Sequence, residues 1–499
     1  RSVLSVSDRE YLEDKGIVMS ASVREKAFTQ RFYLYLIMTK SAEKLYMSYA
    51  VKNSEGAALM PSYIIRSMRK MFSHCLKLSY KDTAQQNSYV TIPRAANSFD
   101  NTEIAANVDE DIIDSLTGGR LVGSVTSFEN FAECPLRYYL RYGVDLKERD
   151  EFTISPVNFG VVLHAVIREV CDEIKKNGES YYLISEEKRR EMVKRSVSAI
   201  TDIYQNSILK DSSRNSFMIK RMEDLADRTI WAMGEQLKCG DFVPFVFEHK
   251  FNMEVGDRDR KQLMSGTIDR VDICENDTDV YVRIIDYKTG KKDFNIVKTY
   301  YGIDIQLMVY MEAAMKLVAK MRPGKNVLPA GVFYYNISDP IVSATNESAE
   351  EIEDKIKGEL RLKGMVNSDK DIAEKMDNTE GTSLNIPVSR KADGGFDSRR
   401  SKVMNTEQFN MLGRFVDVRA VDTADRIAGG DIRRSPYKDG QFSSCDRCPY
   451  GAVCGFSVDL PGCNYRKLKK FDDEVLWNNI KEGVDENGKK MDTGAEERD

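Results

Sequence analysis

Two aspartates and a lysine with the spacing of a hydrolytic site stand near the middle of the chain. Residues 280–288 alternate as a strand that places Asp286 and Lys288 on one face, at the end of the strand. A second predicted strand, joined to the first by the turn-rich residues 275–279, carries Asp269. If the two strands face each other, Asp269 lies beside Asp286, and three charged groups share one small volume.

Two carboxylates share a site comfortably only when a cation neutralises them. Oxygen ligands of this kind select Mg²⁺ or Mn²⁺, which also bind substrate phosphates. A lysine beside such a cation activates a water and stabilises charge that develops on a phosphate. The pattern therefore predicts metal-assisted phosphodiester hydrolysis. For an isolated Asp-x-Lys motif, a solvated strand end is the commoner explanation.

Three further residues are placed to join this site. His164 flanks the apolar stripe of a helix predicted over residues 160–174, from which it can reach the strand end; a structural histidine is the alternative. Gln306 and Tyr310 lie four residues apart on one face of a second predicted helix. That pair can contact a phosphate or orient the lysine, and a core position for Tyr310 is the alternative.

Cysteines cluster near the end of the chain, where Cys445, Cys448 and Cys454 fall within ten residues beside a proline and a glycine. A compact loop of this kind suits a soft metal, and a fourth thiolate must come from elsewhere. Cys463 is nearby, and Cys134 lies far upstream. Zinc and an iron–sulfur cluster both accept four thiolates, so the spacing leaves both open.

The order of the motifs resembles a known family. Gly-x-x-x-His, ending at His164, is followed by GTIDRVD, IIDYKTG and IQLMVY, an arrangement similar to the RecB-type branch of the PD-(D/E)XK nuclease superfamily. The resemblance implies an α/β, restriction-endonuclease-like core, with a central mixed sheet flanked by helices and with helical insertions. It implies that Lys288 is catalytic and is supported by Gln306 and Tyr310. It also implies metal ligation by His164, Asp269, Asp286 and the Tyr287 backbone carbonyl, with Glu248 near the position of an acidic residue that some relatives have.

The cysteine pattern resembles that of nucleases with a 4Fe–4S cluster. In those proteins a lone cysteine precedes the histidine helix, and a C-x2-C-x5-C motif follows the nuclease core. The resemblance implies that the cluster ligands are Cys134, Cys445, Cys448 and Cys454, and it omits Cys463. We expect the remaining thiols to be small buried hydrophobic side chains: Cys75, Cys171, Cys239 and Cys274.

Nearly the whole chain resembles the AddB-type subunits of bacterial AddAB helicase–nucleases. The segments that carry this resemblance begin with KLYMSYAVKNSEGAALMPSYII and continue with LRLKGMVNSDKDIAEKMD and GGDIRRSPY. It implies a cytoplasmic, Mg²⁺-dependent exonuclease that degrades the 5′-terminated strand of DNA duplex ends and single strands during recombination repair. It also implies a heterodimer with an AddA-like helicase–nuclease subunit. The alternatives are a DNA-binding scaffold with an inactive or auxiliary site, and a stand-alone 4Fe–4S nuclease of the CRISPR-adaptation type, although those chains are much shorter.

The chain of 499 residues predicts three regions. Residues 1–120 resemble the end of a superfamily 1 helicase-like motor domain and a linker, with helices expected over 23–38 and after Pro61, and a strand over 44–50. Residues 121–470 are the expected nuclease domain, in which 344–400 form an insertion. Residues 471–499 are the expected solvated tail. The chain begins at Arg1 and lacks a G-x-x-x-x-G-K-[S/T] loop, so we expect a piece of a longer protein in which any ATP site precedes it.

Composition excludes several classes of protein. The longest apolar run has seven residues, and no signal peptide is recognisable, which excludes a membrane span and disfavours a secreted disulfide framework for the nine cysteines. A net charge of −5 argues against nucleic-acid binding, but the last 29 residues alone hold ten acids and four bases. The rest is near neutral, and three basic clusters are candidates for a DNA path: Lys288/Lys291/Lys292, Arg433/Arg434 and Arg466/Lys467/Lys469/Lys470.

Overall fold

The computed structural model describes most of the chain, as isolated positions between 8 and 15 and as the ranges 23–51, 58–72, 107–109, 111–113, 122–147, 156–203, 213–255, 262–343, 347–458 and 463–496. The chain divides into two compact units. One consists of residues 1–94 with 457–459, and the other of residues 95–456 with 460–499. No helix in the described ranges combines the length and the apolar character that a membrane span requires.

The first unit contains the helices α1 (Val23–Thr39) and α2 (Tyr63–Met71), which lie where the sequence predicts them. The hydroxyl of Ser62 caps α2 by accepting a backbone hydrogen bond in its first turn. The strand predicted over residues 44–50 is wrong, because this segment is described without regular structure. Its alternating apolar pattern has no described strand beside it to supply backbone hydrogen bonds.

The second unit contains a π-helix at Tyr139–Gly143 and a larger set of α-helices. In chain order these are α3 (Val125–Glu133), α4 (Pro135–Tyr138), α5 (Pro156–Lys176), α6 (Glu186–Ile203), α7 (Ser213–Lys238), α8 (Ile296–Tyr300), α9 (Gln306–Met321), α10 (Ala349–Glu359), α11 (Lys370–Met376), α12 (Thr406–Ala428), α13 (Gly451–Cys454) and α14 (Asp473–Glu496).

A mixed seven-stranded sheet forms the centre of the second unit. Its strands are β1 (Val122–Ser124), β2 (Val243–Val255), β3 (Gln262–Glu275), β4 (Asp279–Lys288), β5 (Asn326–Asn336), β6 (Lys363–Asn367) and β7 (Val403–Met404). The order is β1-β3-β4-β5-β6-β7, and β2 pairs with β3. A smaller sheet contains β8 (Tyr437–Asp439), β9 (Phe442–Ser443) and β10 (Arg466–Lys467). The predicted α/β class with a mixed central sheet is confirmed.

Strand β3 has two partners on one of its edges, and they leave a gap between them. β1 pairs with residues 263–265 of β3, β4 pairs with residues 270–275, and β2 runs along the opposite edge. Among the described strands, none therefore lies beside residues 266–269 on that edge. The ladder between β3 and β4 ends at Ile285, so the last residues of β4 diverge from β3.

Apolar side chains cover both faces of the sheet. Val280, Val282 and Ile284 of β4 belong to a core built with α9, α12 and α14. Tyr281 and Ile285 belong to a second core built with α5, α6 and α7. Burial on both faces explains why β4 is an almost continuous apolar run rather than an alternating one. The two cores hold the end of β4 and bring helices to it from both sides.

A buried ion triad joins β3 to β4. Asp272 faces Arg283 across the ladder, and it accepts hydrogen bonds from Arg270 Nε at 2.7 Å and from Arg283 Nε at 2.8 Å. The three side chains are at most 1% exposed. Burial alone would raise the pKa of Asp272, but the two guanidinium groups outweigh burial and hold that pKa below its usual value.

Two predicted regions differ from the structure. Residues 344–400 are not only an insertion, because they contribute β6, which pairs with β5 in the central sheet. The start of the expected tail is not solvated either. It forms α14, whose Leu476 and Ile480 are 3% and 0% exposed in the core with α12. The high acidic content of this segment concealed an apolar stripe with a spacing of four residues.

We expect Asp272→Ala to destabilise the second unit by about 3–5 kcal/mol, because two buried guanidinium groups lose their counter-charge. The measurement is the midpoint of chemical unfolding, followed by circular dichroism. Asp277→Ala, in the exposed turn of the same hairpin, is the control and changes stability by less than about 0.5 kcal/mol. Equal midpoints for the two variants would contradict a stabilising role for the triad.

Candidate metal and catalytic site

The two predicted aspartates meet where β4 diverges from β3. The last pair of this ladder is Arg270 with Ile285, so the next position in register sets Asp269 opposite Asp286. Asp269 Oδ2 accepts a hydrogen bond of 2.7 Å from the backbone N–H of Tyr287, and this bond spans the gap in place of the ladder. Both carboxylates are buried, at 7% and 1% exposure.

Burial and mutual repulsion disfavour the charged forms of the two carboxylates, and a nearby cation would relieve both effects. The pKa of Asp286 rises to about 6, first because burial penalises its charged form and second because Asp269 is a negative neighbour. Lys288 counters both effects, since its Nζ lies 2.5 Å from Asp286 Oδ2. One lysine therefore faces a pair of acids, and negative charge remains at the gap.

His164 and Glu248 reach Asp269 from the helix and strand that flank it. His164 Nδ1 on α5 lies 3.4 Å from Asp269 Oδ1 and 3.7 Å from Glu248 Oε1. Burial alone would lower the pKa of His164, but hydrogen bonds and charge from the two carboxylates raise it to about 10. The imidazole therefore carries a proton here and supplies positive charge beside the acids.

The backbone of Glu248 has a conformation that few residues other than glycine adopt. Its φ is 48°, in the left-handed region, at the one position of the β2–β3 ladder that faces Asp269. The residues on either side, Phe247 and His249, remain paired with β3. Such a conformation costs about 1–3 kcal/mol and occurs most often where function requires it. Here it turns the Glu248 carboxylate toward His164 and Asp269.

These side chains fit a divalent cation. One ligand atom from each of His164, Glu248 and Asp269 lies within 4.8 Å of the other two, and no other such group occurs among the residues that the structure describes. Two carboxylates and an imidazole suit Mg²⁺ or Mn²⁺. Asp286 stands next to this group and pairs with Lys288. Sequence reasoning named Glu248 only by resemblance, although its place in a strand opposite GTIDRVD was a usable signal.

Lys288 is held by a chain of polar contacts on α9. Its Nζ donates a hydrogen bond of 3.0 Å to Gln306 Oε1, and Gln306 Nε2 donates one of 2.8 Å to the hydroxyl of Tyr310. The ammonium group also lies 5.6 Å from the ring centre of Tyr334. The structure thus brings Gln306 and Tyr310 to the lysine, and Tyr310 is at the same time part of the core.

The four cysteines selected by resemblance line one pocket. Cys134 follows the last residue of α3, and Cys445, Cys448 and Cys454 line the same pocket from the region of β9 and α13. Burial raises the pKa of Cys445 to about 11, and the three neighbouring thiols add to this effect. Cys463 is buried and does not line this pocket.

The remaining cysteines are predicted to be buried thiols, and this prediction is confirmed for two of them. Cys171 and Cys274 are buried in the core with α5, α6 and α7. Cys239 is only half-buried, at the end of α7, so this expectation is wrong for it. Cys75 lies outside the described residues.

Several residues of the predicted DNA path have structural partners instead. Lys292 Nζ lies 3.0 Å from Asp304 Oδ1, and Arg433 Nη2 lies 2.6 Å from Asp431 Oδ2. Arg466 donates to the backbone of Ala132. A cation that already pairs with a carboxylate or a carbonyl offers less to a phosphate. The exposed members of the three clusters are Lys291, Arg433, Lys467, Lys469 and Lys470, and of these Arg433 is paired with Asp431.

Comparison with known proteins agrees with this geometry. Residues 123–455 match the model of the PD-(D/E)XK nuclease superfamily. The relatives include proteins named as the B subunits of ATP-dependent helicase/deoxyribonucleases. The one from Clostridium acetobutylicum is 31% identical, over 97% of this chain and 47% of the relative. The one from Lachnoclostridium phytofermentans is 31% identical, over 99% and 47%.

A further relative of the same name, from Caldanaerobacter subterraneus subsp. tengcongensis, is 30% identical over 100% of this chain and 47% of the relative. The chain therefore spans about half the length of these relatives. The family match covers nearly all of the central sheet, the group formed by His164, Glu248 and Asp269, Lys288 and all four cysteines of the pocket. On this basis the chain belongs to the PD-(D/E)XK nuclease superfamily.

Proposed function

We propose that this chain hydrolyses phosphodiester bonds of DNA with Mg²⁺ or Mn²⁺ in the gap between β3 and β4. The observation that carries the proposal is the convergence of His164, Glu248 and Asp269 beside Asp286 and its partner Lys288. Three acidic side chains meet here with only two cationic ones, His164 and Lys288. Negative charge that is buried and not neutralised is costly in a protein that binds no cation.

His164, Asp269, Asp286 and the Tyr287 carbonyl would hold the cation in this proposal, and we include Glu248, whose carboxylate lies beside His164 and Asp269, as a further ligand. A bound divalent cation supplies a Lewis acid and a water of lowered pKa. As a ligand His164 would have to be neutral, so a cation would compete with a proton for this imidazole. The N–H of Tyr287 keeps Asp269 oriented while it ligates.

Lys288 contributes positive charge where the scissile phosphate gains negative charge. The contacts to Asp286 and Gln306 hold its ammonium group in place before substrate arrives, so little reorganisation is needed during the reaction. Gln306 and Tyr310 act by fixing the direction of this lysine. The acidic side chains would bind the cation, and the cation and the ammonium group of Lys288 would together bind an anionic phosphate.

The cysteine pocket is proposed to hold a 4Fe–4S cluster. All four thiols line one pocket, which suits either a zinc ion or a cluster of several atoms. The resemblance of the cysteine pattern to that of 4Fe–4S nucleases supports the cluster. A cluster would join α3 to residues 445–454 across a very long loop.

At the level of the whole protein, we place the chain as the C-terminal part of an AddB-type subunit. The similarity to subunits named helicase/deoxyribonuclease supports this placement. The proposal includes an AddA-like partner, DNA duplex ends as substrate, degradation of the 5′-terminated strand and a role in recombination repair.

We expect Lys288→Ala to slow Mg²⁺-dependent cleavage of single-stranded DNA about 10²- to 10³-fold, because charge stabilisation at the phosphate is lost. The assay follows 5′- and 3′-labelled strands with the chain alone and with an AddA-like subunit, so it also reports polarity. Lys320→Ala, at an exposed position near the far end of α9, is the control, with near-normal rates. Full activity of Lys288→Ala would instead favour the scaffold hypothesis.

Replacing Glu248 by Ala should raise the Mg²⁺ concentration for half-maximal cleavage about 10- to 100-fold, since one carboxylate leaves the ligand group. Titration of cleavage rate against Mg²⁺ measures this. Lys250→Ala, an exposed position two residues along β2, should leave the midpoint unchanged. If Glu248→Ala shows an unchanged midpoint, Glu248 is not a ligand.

Anaerobically purified protein is expected to be brown and to contain about four iron and four sulfide ions per chain. Cys134→Ser should lose the iron although it is distant in sequence from the other ligands, whereas Cys463→Ser keeps it. Metal and sulfide analysis with the visible absorption spectrum provides the measurement. A colourless protein that contains zinc would refute the iron–sulfur assignment.

A further inference from the structure

The helix that carries Gln306 and Tyr310 has no cap of its own. Helix α9 begins at Gln306, and its N-cap residue Ile305 offers no side-chain hydrogen bond to the first turn. The first amide groups of a helix lack partners inside the helix, and buried ones are costly when they stay unpaired. The start of α9 therefore needs an acceptor from elsewhere in the protein.

Glu129 supplies that acceptor from a different helix. Its Oε1 accepts hydrogen bonds of 3.0 Å from the backbone N–H of Ile305 and 3.0 Å from that of Gln306. Glu129 lies in the middle of α3 and is separated from Gln306 by 177 positions in sequence. A carboxylate at this place also interacts favourably with the positive end of the helix dipole.

The carboxylate of Glu129 is built into a closed polar network. Glu129 is buried, and burial raises its pKa to about 7, opposed first by the positive charge of Lys292. Lys292 in turn pairs with Asp304, whose Oδ1 accepts a hydrogen bond of 2.6 Å from the hydroxyl of Tyr334. Glu129 does not belong to the His164, Glu248 and Asp269 group, so its contacts point to α9 rather than to the metal site.

Two contacts lead from Glu129 to the proposed catalytic lysine, and a third leads on from the lysine to Asp286. Glu129 holds the backbone of Gln306, the side-chain carbonyl of Gln306 accepts from Lys288, and Lys288 pairs with Asp286. A shift in the first turn of α9 moves the Gln306 side chain and so changes where the ammonium group is held. Displacements of about 1 Å at a catalytic group can reduce a rate about 10²-fold.

We infer that Glu129 is a positioning residue for Lys288, acting as a cap supplied by α3 to the first turn of α9. The inference rests on the proposed hydrolytic function of Lys288, but the cap itself is a structural contact that can be tested without any reaction. Glu129 acts through the backbone of Gln306 and is not one of the three residues of the candidate metal group. Its role is thus to keep the ammonium group aligned, not to bind DNA.

Kinetics of Glu129→Ala and Glu129→Gln test the consequence. Alanine removes the acceptor, so kcat for DNA cleavage should fall about 10- to 100-fold, while KM changes less than about twofold. Glutamine keeps a carbonyl oxygen in the same place and should retain kcat within about threefold. Glu133→Gln, on the same helix but paired with Arg137, is the matched control with normal kcat. Equal losses in Glu129→Ala and Glu129→Gln, or a loss confined to KM, would overturn the positioning role.

A double-mutant cycle tests whether the effect passes through Gln306. If it does, Glu129→Ala combined with Gln306→Ala has nearly the same kcat as Gln306→Ala alone, because Lys288 has already lost its hydrogen bond to Gln306. Independent effects that multiply would overturn the route through Gln306. A general loss of folding would also multiply, so this cycle separates positioning from instability.

Two measurements without turnover separate this inference from the proposed function. Hydrogen exchange of the peptide covering residues 303–310 should become at least about tenfold faster in Glu129→Ala and stay slow in Glu129→Gln. Acetylation of Lys288, followed by mass spectrometry, should become at least about threefold faster in Glu129→Ala only. If wild-type protein cleaves no DNA, the proposed function fails while these two measurements still decide the inference. Unchanged exchange and acetylation in Glu129→Ala would overturn it.

Discussion

The site depends on one constraint, which is that β4 separates from β3 just where each strand carries an aspartate. Asp269 and Asp286 face each other across a gap that no backbone ladder closes. Two neighbouring buried carboxylates repel each other and are poorly solvated, so they require positively charged groups nearby. In the protein alone, His164 and Lys288 provide it from opposite faces of the sheet. A divalent cation would neutralise the same carboxylates, and its remaining charge would be available to a phosphate group.

The rest of the domain holds this unfavourable arrangement in place. Two apolar cores cover both faces of the sheet, and the Arg270–Asp272–Arg283 triad fastens β3 to β4 immediately before they separate. Helices reach the gap from both cores, α5 with the histidine and α9 with the partners of the lysine. The strained backbone of Glu248 is tolerated because paired residues on both sides hold it in the ladder.

Local patterns were sufficient for the parts of the site that lie on single elements. The alternation of β4 placed Asp286 and Lys288 together, and a spacing of four placed Gln306 and Tyr310 on one face of α9, because both periodicities are set by backbone geometry. Composition was misleading where partners mattered. The acidic C-terminal segment packs as α14, and Arg433 is engaged by Asp431, since charge counts carry no information about which groups pair.

The sequence by itself therefore determined the two strands, the candidate lysine and acids, and the cysteine spacing. Only the tertiary structure decided which distant residues complete the site. Glu248 joins it through a register across β2 and β3, and Glu129 caps α9 from 177 positions away. Neither contact leaves a periodic signature, because each depends on how separate elements pack and not on the geometry within one element. The same packing decides that Cys134 lines a pocket with Cys445, Cys448 and Cys454 while Cys463 does not.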